Sequence, residues 1–489
     1  MCLSNKKLVV VSNRLPVAIY QEGDQWHIKP STGGLVTALA PTITRTKGMW
    51  LGWPGCSPDA PAAKLLTEYN KNRDYRLIPI LITREEIEKF YFGFSNNTIW
   101  PLFHDLLGHF SFSLDEWHSY LEVNRRFAEL IADVIRPDSF IWIHDYHLLL
   151  VGHLLREMGV RHYLNFFLHI PFPGYDLYRR LPWKHEILKA ILDYDHIGFQ
   201  TPSDRRNFIQ CIKWLIPEAV RTMNKRQSII YYNHHRTKLG YYPISIDFNE
   251  FNEGGKAREV ADAAWFLHEN LNSRILVLGL DRLDYTKGIP NRFLAFERLL
   301  EKYPDTIGNI SLIQIVVPSR TKVPDYMKLK TDLDTLTGRI NSRFSQHGWV
   351  PIHYQFRELD RTQLLGHYRA CEIALITPLR DGMNLVAKEY CASSIDNNGV
   401  LILSEFAGAA AQLSRGALMV NPYDLESTAD AIYRAFTMTL EERRRRMKIL
   451  RSEVKRNDVA RWVNWFLSSE FNSLPSDGYF PETIDRQTS

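Results

Sequence analysis

The run from Thr377 to Tyr390 (Thr-Pro-Leu-Arg-Asp-Gly-Met-Asn-Leu-Val-Ala-Lys-Glu-Tyr) sets two carboxylates, Asp381 and Glu389, on either side of a backbone that must turn. The apolar residues Ile373–Ile376 before it read as a strand, with Asp381 and Gly382 in the turn that follows. A helix is expected to begin within a residue or two, with Glu389 about two turns along it. Helix-start N–H groups and carboxylates then meet at the C-terminal edge of a sheet, where α/β proteins hold phosphorylated or sugar-bearing ligands. Carboxylates suit vicinal diols, because each oxygen can accept a hydrogen bond. Asp381 could therefore take hexose hydroxyls and Glu389 a ribose, while the N–H groups of Gly382, Met383, Asn384 and Leu385 meet phosphate or sugar oxygens. Earlier in the chain, Arg282 and Lys287 follow another apolar strand, Ile275–Leu280. An arginine offers a planar fork of donors and a lysine a mobile point charge. Fixed at the distal phosphate of a departing nucleoside diphosphate, the two would strengthen as charge grows there. The combination points to a sugar-nucleotide site. Against it stand blander readings: a surface Asp–Arg cluster, a helix cap for Asp381 and an exposed ion pair for Glu389.

The first half offers a second group. Asp145 follows the strand Phe140–Ile143, and His169 ends the strand Asn165–His169, just before Ile-Pro-Phe-Pro173. Asp145 could accept a hydroxyl or act as a weak base, and His169 could donate to a sugar hydroxyl or to the reacting centre; a satisfied buried histidine is the alternative. A metal held by His144, Asp145 and His147 is disfavoured, because these neighbours share one loop and no further ligand cluster accompanies them. Gly33 and Gly34 stand at an expected helix start but lack the spacing of a phosphate loop. Arg14 and Arg320 are candidates for a second phosphate. Trp50, Tyr91 and Trp100 could wall a sugar pocket or simply be core.

These residues need a scaffold. Short apolar strands recur at Leu8–Val11, Phe140–Ile143, Asn165–His169, His196–Phe199, Ile275–Leu280, Ser311–Val317, Ile373–Ile376 and Gly399–Leu403, with helical patterns such as Asn124–Val134 and Arg292–Lys302 between them. Near-continuous apolar strands imply a parallel sheet covered on both faces. A chain of 489 residues exceeds one comfortable core, so two doubly wound units are expected. The boundary falls near 245, after the last strand series of the first half. A final helix spans roughly 460–470, carrying Trp462, Trp465 and Phe466, and the tail beyond is expected to be partly disordered. A formal charge of +5 spread over both signs gives little support to nucleic-acid binding. The basic run 442–448 reads as the solvated face of a helix. Five scattered cysteines form no metal-type pair and no disulfide framework. No signal peptide and no apolar run of membrane length is evident, so a cytoplasmic location is expected.

Taken in order, the pieces Val11–Pro16, Gly33–Leu35, Phe94–Asn96, Trp100–Pro101, Ile143–Leu148, Phe167–Pro173, Gly198–Thr201, Arg282–Gly288, Pro378–Tyr390 and Ser404–Ala409 strongly resemble the trehalose-6-phosphate synthase family, retaining glycosyltransferases of family 20 with the GT-B architecture. The resemblance runs from about residue 8 to about residue 470. It implies two Rossmann-like domains facing a cleft: an acceptor-binding domain over 1–245, a nucleotide-sugar domain over 246–455, and a C-terminal helix within 456–489 returning to the first. It implies transfer of glucose, usually from UDP-glucose, to glucose 6-phosphate with both anomeric positions α, by front-face displacement, with no enzyme nucleophile and no metal or other cofactor required. Arg282 and Lys287 would hold the donor diphosphate with Gly34 beside it. Asp381 would bind glucose hydroxyls, Glu389 the ribose, and His169 the transferred glucose. Asp145 would lie by the acceptor and donor sugars, and Arg14, Tyr91, Trp100 and Arg320 would bind the acceptor phosphate, with Trp50 near that pocket. A homo-oligomer is implied as well. The family usually has glycine where this chain has Ser245. GDP- or ADP-glucose as donor, glycerol 3-phosphate as acceptor, or a silent regulatory subunit are the alternatives.

Overall fold

The structure is a computed structural model that describes residues 6–31, 34–223, 228–271, 273–320 and 323–468. Gly33, Cys2 and the tail after Phe471 lie outside the described residues. Two large sheets divide the chain. The first has the spatial order Arg76–Pro79, Met49–Trp53, Lys7–Arg14, Ser139–His144, Leu164–Phe167, His196–Phe199, His235–Tyr241, Ser228–Tyr232 and Val220–Met223. It is parallel as far as His235–Tyr241 and then closes with antiparallel partners. The second sheet is wholly parallel, in the order Ile352–Phe356, Ile310–Val317, Ile275–Arg282, Ile373–Ile376, Val400–Ser404 and Leu418–Val420. Central strands are buried along their whole length, as in Ser139–His144 and Ile373–Ile376, because helices cover both faces.

In each sheet the first strand of the parallel unit sits inside the order. Lys7–Arg14 pairs with Met49–Trp53 on one side and with Ser139–His144 on the other. Ile275–Arg282 pairs with Ile310–Val317 and with Ile373–Ile376. Connections leave in opposite directions at these two places, which opens a crevice at the carboxyl ends of the strands. Arg14 and Asp145 stand at the first crevice, and Arg282, Lys287 and Asp381 at the second.

All eight expected strands are present. Strands not expected from the sequence are Val17–Glu22 with Gln25–Pro30, Met49–Trp53, Arg76–Pro79, the three strands from Val220 to Tyr241, Ile352–Phe356 and Leu418–Val420. Helices Phe248–Gly254 and Arg258–Leu271 fill the stretch after 247, as expected. One hydrophobic cluster contains Leu8 and Trp142 from the first sheet, Leu278 and Ala374 from the second, and Trp462 and Phe466 from the last described helix. That helix, Val459–Ser468, lies against the first sheet. Phe466 stacks on Trp142 at 4.3 Å between ring centres, Trp462 meets Phe167 edge-on, and Trp462 Nε1 donates to the Tyr242 carbonyl at 3.1 Å. In the basic run, Arg443 is buried and donates to main-chain carbonyls of Ala435 and Met438. Cys56, Cys211, Cys371 and Cys391 are buried free thiols.

Candidate active site in the interdomain cleft

Asp145 leaves its strand with φ 76° and ψ 167°, a backbone conformation that side-chain-bearing residues hold only when their surroundings enforce it. The enforcement is visible. Its N–H donates to the Phe167 carbonyl at 2.8 Å, and Oδ1 accepts from the His169 N–H at 3.2 Å. Burial pushes the carboxyl up to about 6, although the Tyr146 and His169 N–H groups and the Arg282 and Arg320 guanidiniums pull the other way. The His169 ring is also held at both nitrogens. Nε2 lies 3.1 Å from His144 Nδ1, and Nδ1 lies 3.3 Å from Gln200 Nε2. Burial lowers His169 to about 3, so it is a neutral imidazole.

Cations crowd the mouth of the first crevice. Arg14 ends its strand exposed to the cleft, with its guanidinium 4.6 Å from the Trp53 ring centre. Gly55, at φ +82°, makes room, since a Cβ there would lie 2.2 Å from Arg14 Nη2. Arg320, also in the left-handed region at φ 48°, sits 4.4 Å from the Trp100 ring centre and donates to Tyr326 Oη at 2.5 Å and Tyr146 Oη at 3.3 Å. Tyr91 stacks on His147. Burial raises its phenol, but Arg320, Arg14 and Arg282 together outweigh that and leave it below its ordinary value. Three guanidiniums from both domains therefore act on one phenol. Trp50 is 1% exposed within the hydrophobic core and donates Nε1 to Ser12 Oγ at 2.8 Å, and Ser12 Oγ in turn donates to the Arg14 carbonyl.

On the facing side, Arg282 ends its strand exposed, without a hydrogen bond or ion pair among the described residues. Lys287 Nζ meets Asp381 Oδ2 at 2.6 Å, both side chains largely buried. Burial raises the Asp381 carboxyl, but Lys287 and the Asn384 amide overcome that and hold it below the usual carboxylate range. The turn that aims Lys287 depends on Gly288, at φ +63°, whose added Cβ would stand 2.7 Å from the Thr377 carbonyl. The following helix spans Leu385–Ser393, capped by Asn384, whose side chain accepts from the Ala387 N–H. It begins later than the sequence suggested, because Asn384 takes φ 76°, so Glu389 lies one turn along rather than two. The N–H groups of Gly382 and Asn384 make no hydrogen bond among the described residues and are open to an anion. Glu389 accepts from Tyr368 Oη at 2.6 Å, and burial raises its carboxyl.

The two halves touch here. A Cβ on Gly382 would lie 2.1 Å from the His169 carbonyl, and one on Gly34 would meet Leu385 Cδ1. The structure thus brings Arg14, Tyr91, Trp100, Asp145, His169, Arg282, Lys287, Arg320, Asp381, Gly382 and Met383 to one cleft. Several site residues went unnoticed in the sequence. Asp284 is buried, accepts from the Thr286 N–H and lies 3.7 Å from Arg320; its place in the Arg282–Lys287 loop was the available signal. His104, lowered to about 4 by burial and packed on Trp100, had none. Among the described residues no group of three or more His, Cys, Asp and Glu is placed to hold a metal ion, and no helix is long and apolar enough to cross a membrane.

Two doubly wound domains with charged crevices facing one cleft define the GT-B architecture of nucleotide-sugar glycosyltransferases. The family model Glycosyltransferase family 20 matches residues 6–471, and this chain belongs to that family. It is 39% identical over 476 residues to the trehalose-6-phosphate synthase of Mycolicibacterium vanbaalenii, covering 96% of this chain and 97% of that one. It is 39% identical to the alpha,alpha-trehalose-phosphate synthase [UDP-forming] A of Dictyostelium discoideum, where it spans 63% of the longer relative. Among solved structures, the alpha,alpha-trehalose-phosphate synthase (UDP-forming) of Burkholderia xenovorans in complex with glucose-6-phosphate superposes with a TM-score of 0.84 at 34% identity, covering 95% of this chain and 99% of that one.

Proposed function

We propose that this protein transfers glucose from UDP-glucose to glucose 6-phosphate, forming α,α-trehalose 6-phosphate with retention at the anomeric carbon. The observation that carries the reading is the set of cations Arg14, Arg282 and Arg320 converging on Tyr91, two of them also on Asp145, with the Lys287–Asp381 pair nearby. Two phosphorylated substrates require two cationic stations with a sugar-sized gap between them. Arg282 and Lys287 hold the donor diphosphate, with Gly34 and the open N–H groups of Gly382 and Asn384 beside it. Met383 and Leu385 flank the sugar, Asp381 orders its hydroxyls, and Glu389 takes the ribose. Arg14, Tyr91, Trp100 and Arg320 receive the acceptor phosphate. Residues 1–245 serve the acceptor, 246–455 serve the donor, and the helix within 456–489 belongs to the first domain.

Departure of the nucleoside diphosphate builds charge on its distal phosphate, where Arg282 and Lys287 stabilise it more in the transition state than in the ground state. The acceptor hydroxyl attacks from the same face, and the departing phosphate takes its proton. Asp145 holds hydroxyls of the two sugars in line, and cleft closure keeps water from competing. The chemistry asks for no metal. Purified protein given glucose 6-phosphate and UDP-, GDP- or ADP-glucose in excess chelator should yield an α,α-linked disaccharide phosphate, fastest with UDP-glucose. Product only with glycerol 3-phosphate as acceptor, or nucleotide binding without turnover, would replace this reading by one of its alternatives. The same preparation, by light scattering, tests the expected homo-oligomer.

A further inference from the structure

A line of hydrogen bonds runs from the donor-side helix to His169. Lys388, next to Glu389 and 1% exposed, donates Nζ to the Ile244 carbonyl at 2.7 Å. The Ile244 N–H donates to Gln200 Oε1 at 2.9 Å. Gln200, itself 1% exposed, presents Nε2 to His169 Nδ1 at 3.3 Å, and His169 Nε2 faces His144 Nδ1 at 3.1 Å. The direction is fixed at one end. A main-chain N–H can only donate, so the amide oxygen of Gln200 must face Ile244 and its NH₂ must face His169. An NH₂ group cannot accept, so His169 Nδ1 is the lone-pair nitrogen and the proton sits on Nε2. His144 Nδ1 then accepts that proton's hydrogen bond. His144 Nε2, fully buried, has no partner among the described residues, so none of them competes at its far side for this arrangement.

We infer that Gln200 is a positioning residue that holds His169 as the Nε2–H tautomer, and that Lys388 secures it by clamping the Ile244 backbone to the donor helix. The inference rests on the proposed reaction only for its catalytic consequence. His169 keeps a donor hydrogen on the nitrogen that can be handed from His144 to a sugar hydroxyl. The residue beside Glu389 steadies that ring through two peptide units, so the ribose-binding helix and the sugar-facing histidine are parts of one framework.

The test is a two-bond ¹⁵N–¹H correlation spectrum of ¹⁵N-histidine-labelled full-length protein at neutral pH, with His169 assigned by its loss in His169→Gln. The wild type is expected to show an unprotonated Nδ1 and a protonated Nε2; the opposite pattern overturns the inference whatever the variants do. Gln200→Glu keeps an acceptor for Ile244 but replaces the donor by a carboxylate, which draws the proton to Nδ1. It is expected to switch the tautomer and lower kcat on the order of tenfold or more, with KM for glucose 6-phosphate within about twofold. A role in stability alone would lower the unfolding temperature and leave the tautomer unchanged, which overturns the inference. Lys388→Met is expected to add a second, Nδ1–H set of His169 signals; a single unaltered set removes Lys388 from the framework. Because the spectra need no substrate, absence of product from every donor would sink the proposed reaction and leave the tautomer result standing.

Discussion

At the scale of single residues, the site is a place where stability is given up for charge. Asp145 is held at about 6 by burial, above the ordinary aspartate value near 4. Its folded pKa is the higher one, so its contribution is fully favourable below pH ~4 and is lost as pH rises through ~6. Asp145→Asn removes that loss, and asparagine matches aspartate in shape, so the strained backbone at φ 76° and ψ 167° is common to both proteins. The variant should be more stable than wild type at pH 7.5 by on the order of 2 kcal/mol after allowance for cleft water, with the gap closing towards pH 4. Turnover should fall on the order of a hundredfold. Urea unfolding across that range checks it; a gap that does not change with pH would refute the shift. Ser245 makes the opposite case. It is 1% exposed and its hydroxyl has no hydrogen-bond partner among the described residues. An unsatisfied buried hydroxyl costs about 1–3 kcal/mol, so Ser245→Ala should be neutral or stabilising, up to about 1 kcal/mol in thermal unfolding, with kcat unchanged. A clear loss of stability would mean that the hydroxyl has a partner after all.

At the scale of elements, the loops after the two switch-point strands depend on a few backbone conformations. Gly288→Ala puts a Cβ into a left-handed turn and 2.7 Å from the Thr377 carbonyl. We expect a loss of about 2–3 kcal/mol and a raised KM for UDP-glucose, because Lys287 immediately precedes the turn. A normal KM at reduced stability would show that the Lys287–Asp381 pair places itself. What could be read from the sequence divides along the same physical line. Leu8–Val11 and Ile373–Ile376 announce themselves because a strand covered on both faces must be apolar throughout. Ile352–Phe356 is an edge strand whose residues after Ile352 are only partly buried, so its pattern does not stand out. Arg76–Pro79 is a short edge strand ended by proline. Met49–Trp53 is buried throughout, and a tryptophan such as Trp50 fits a sugar wall or a core equally well by residue type alone. The helix start shifted because Asn384, not Asp381, is the cap, a choice made by the Lys287 partner far away in sequence. Gln200 and Lys388 were illegible for the same reason: each matters only through contacts distant in sequence, Gln200 with His169 and Ile244, Lys388 with the Ile244 carbonyl.

At the scale of the whole molecule, the last described helix ties the two halves together. Phe466 is fully buried against Trp142 and His196 of the first sheet, while the preceding helix Leu440–Arg456 lies on the second, with Arg451 donating to the Cys391 carbonyl at 3.0 Å. Phe466→Ala should cost about 3–5 kcal/mol. In hydrogen exchange, strand Ser139–His144 should lose protection while Ile275–Arg282 keeps it; equal loss in both would mean that the halves unfold as one unit. The return of this helix also has a consequence for biosynthesis. The aromatic face around Trp142 and Phe167 is exposed when the first sheet emerges from the ribosome, and its cover is made roughly two hundred residues later, on the order of ten to forty seconds at ordinary translation rates. For that interval the nascent first domain presents a greasy surface with no lid, so chaperone demand should peak before synthesis ends and subside once residues 459–468 arrive.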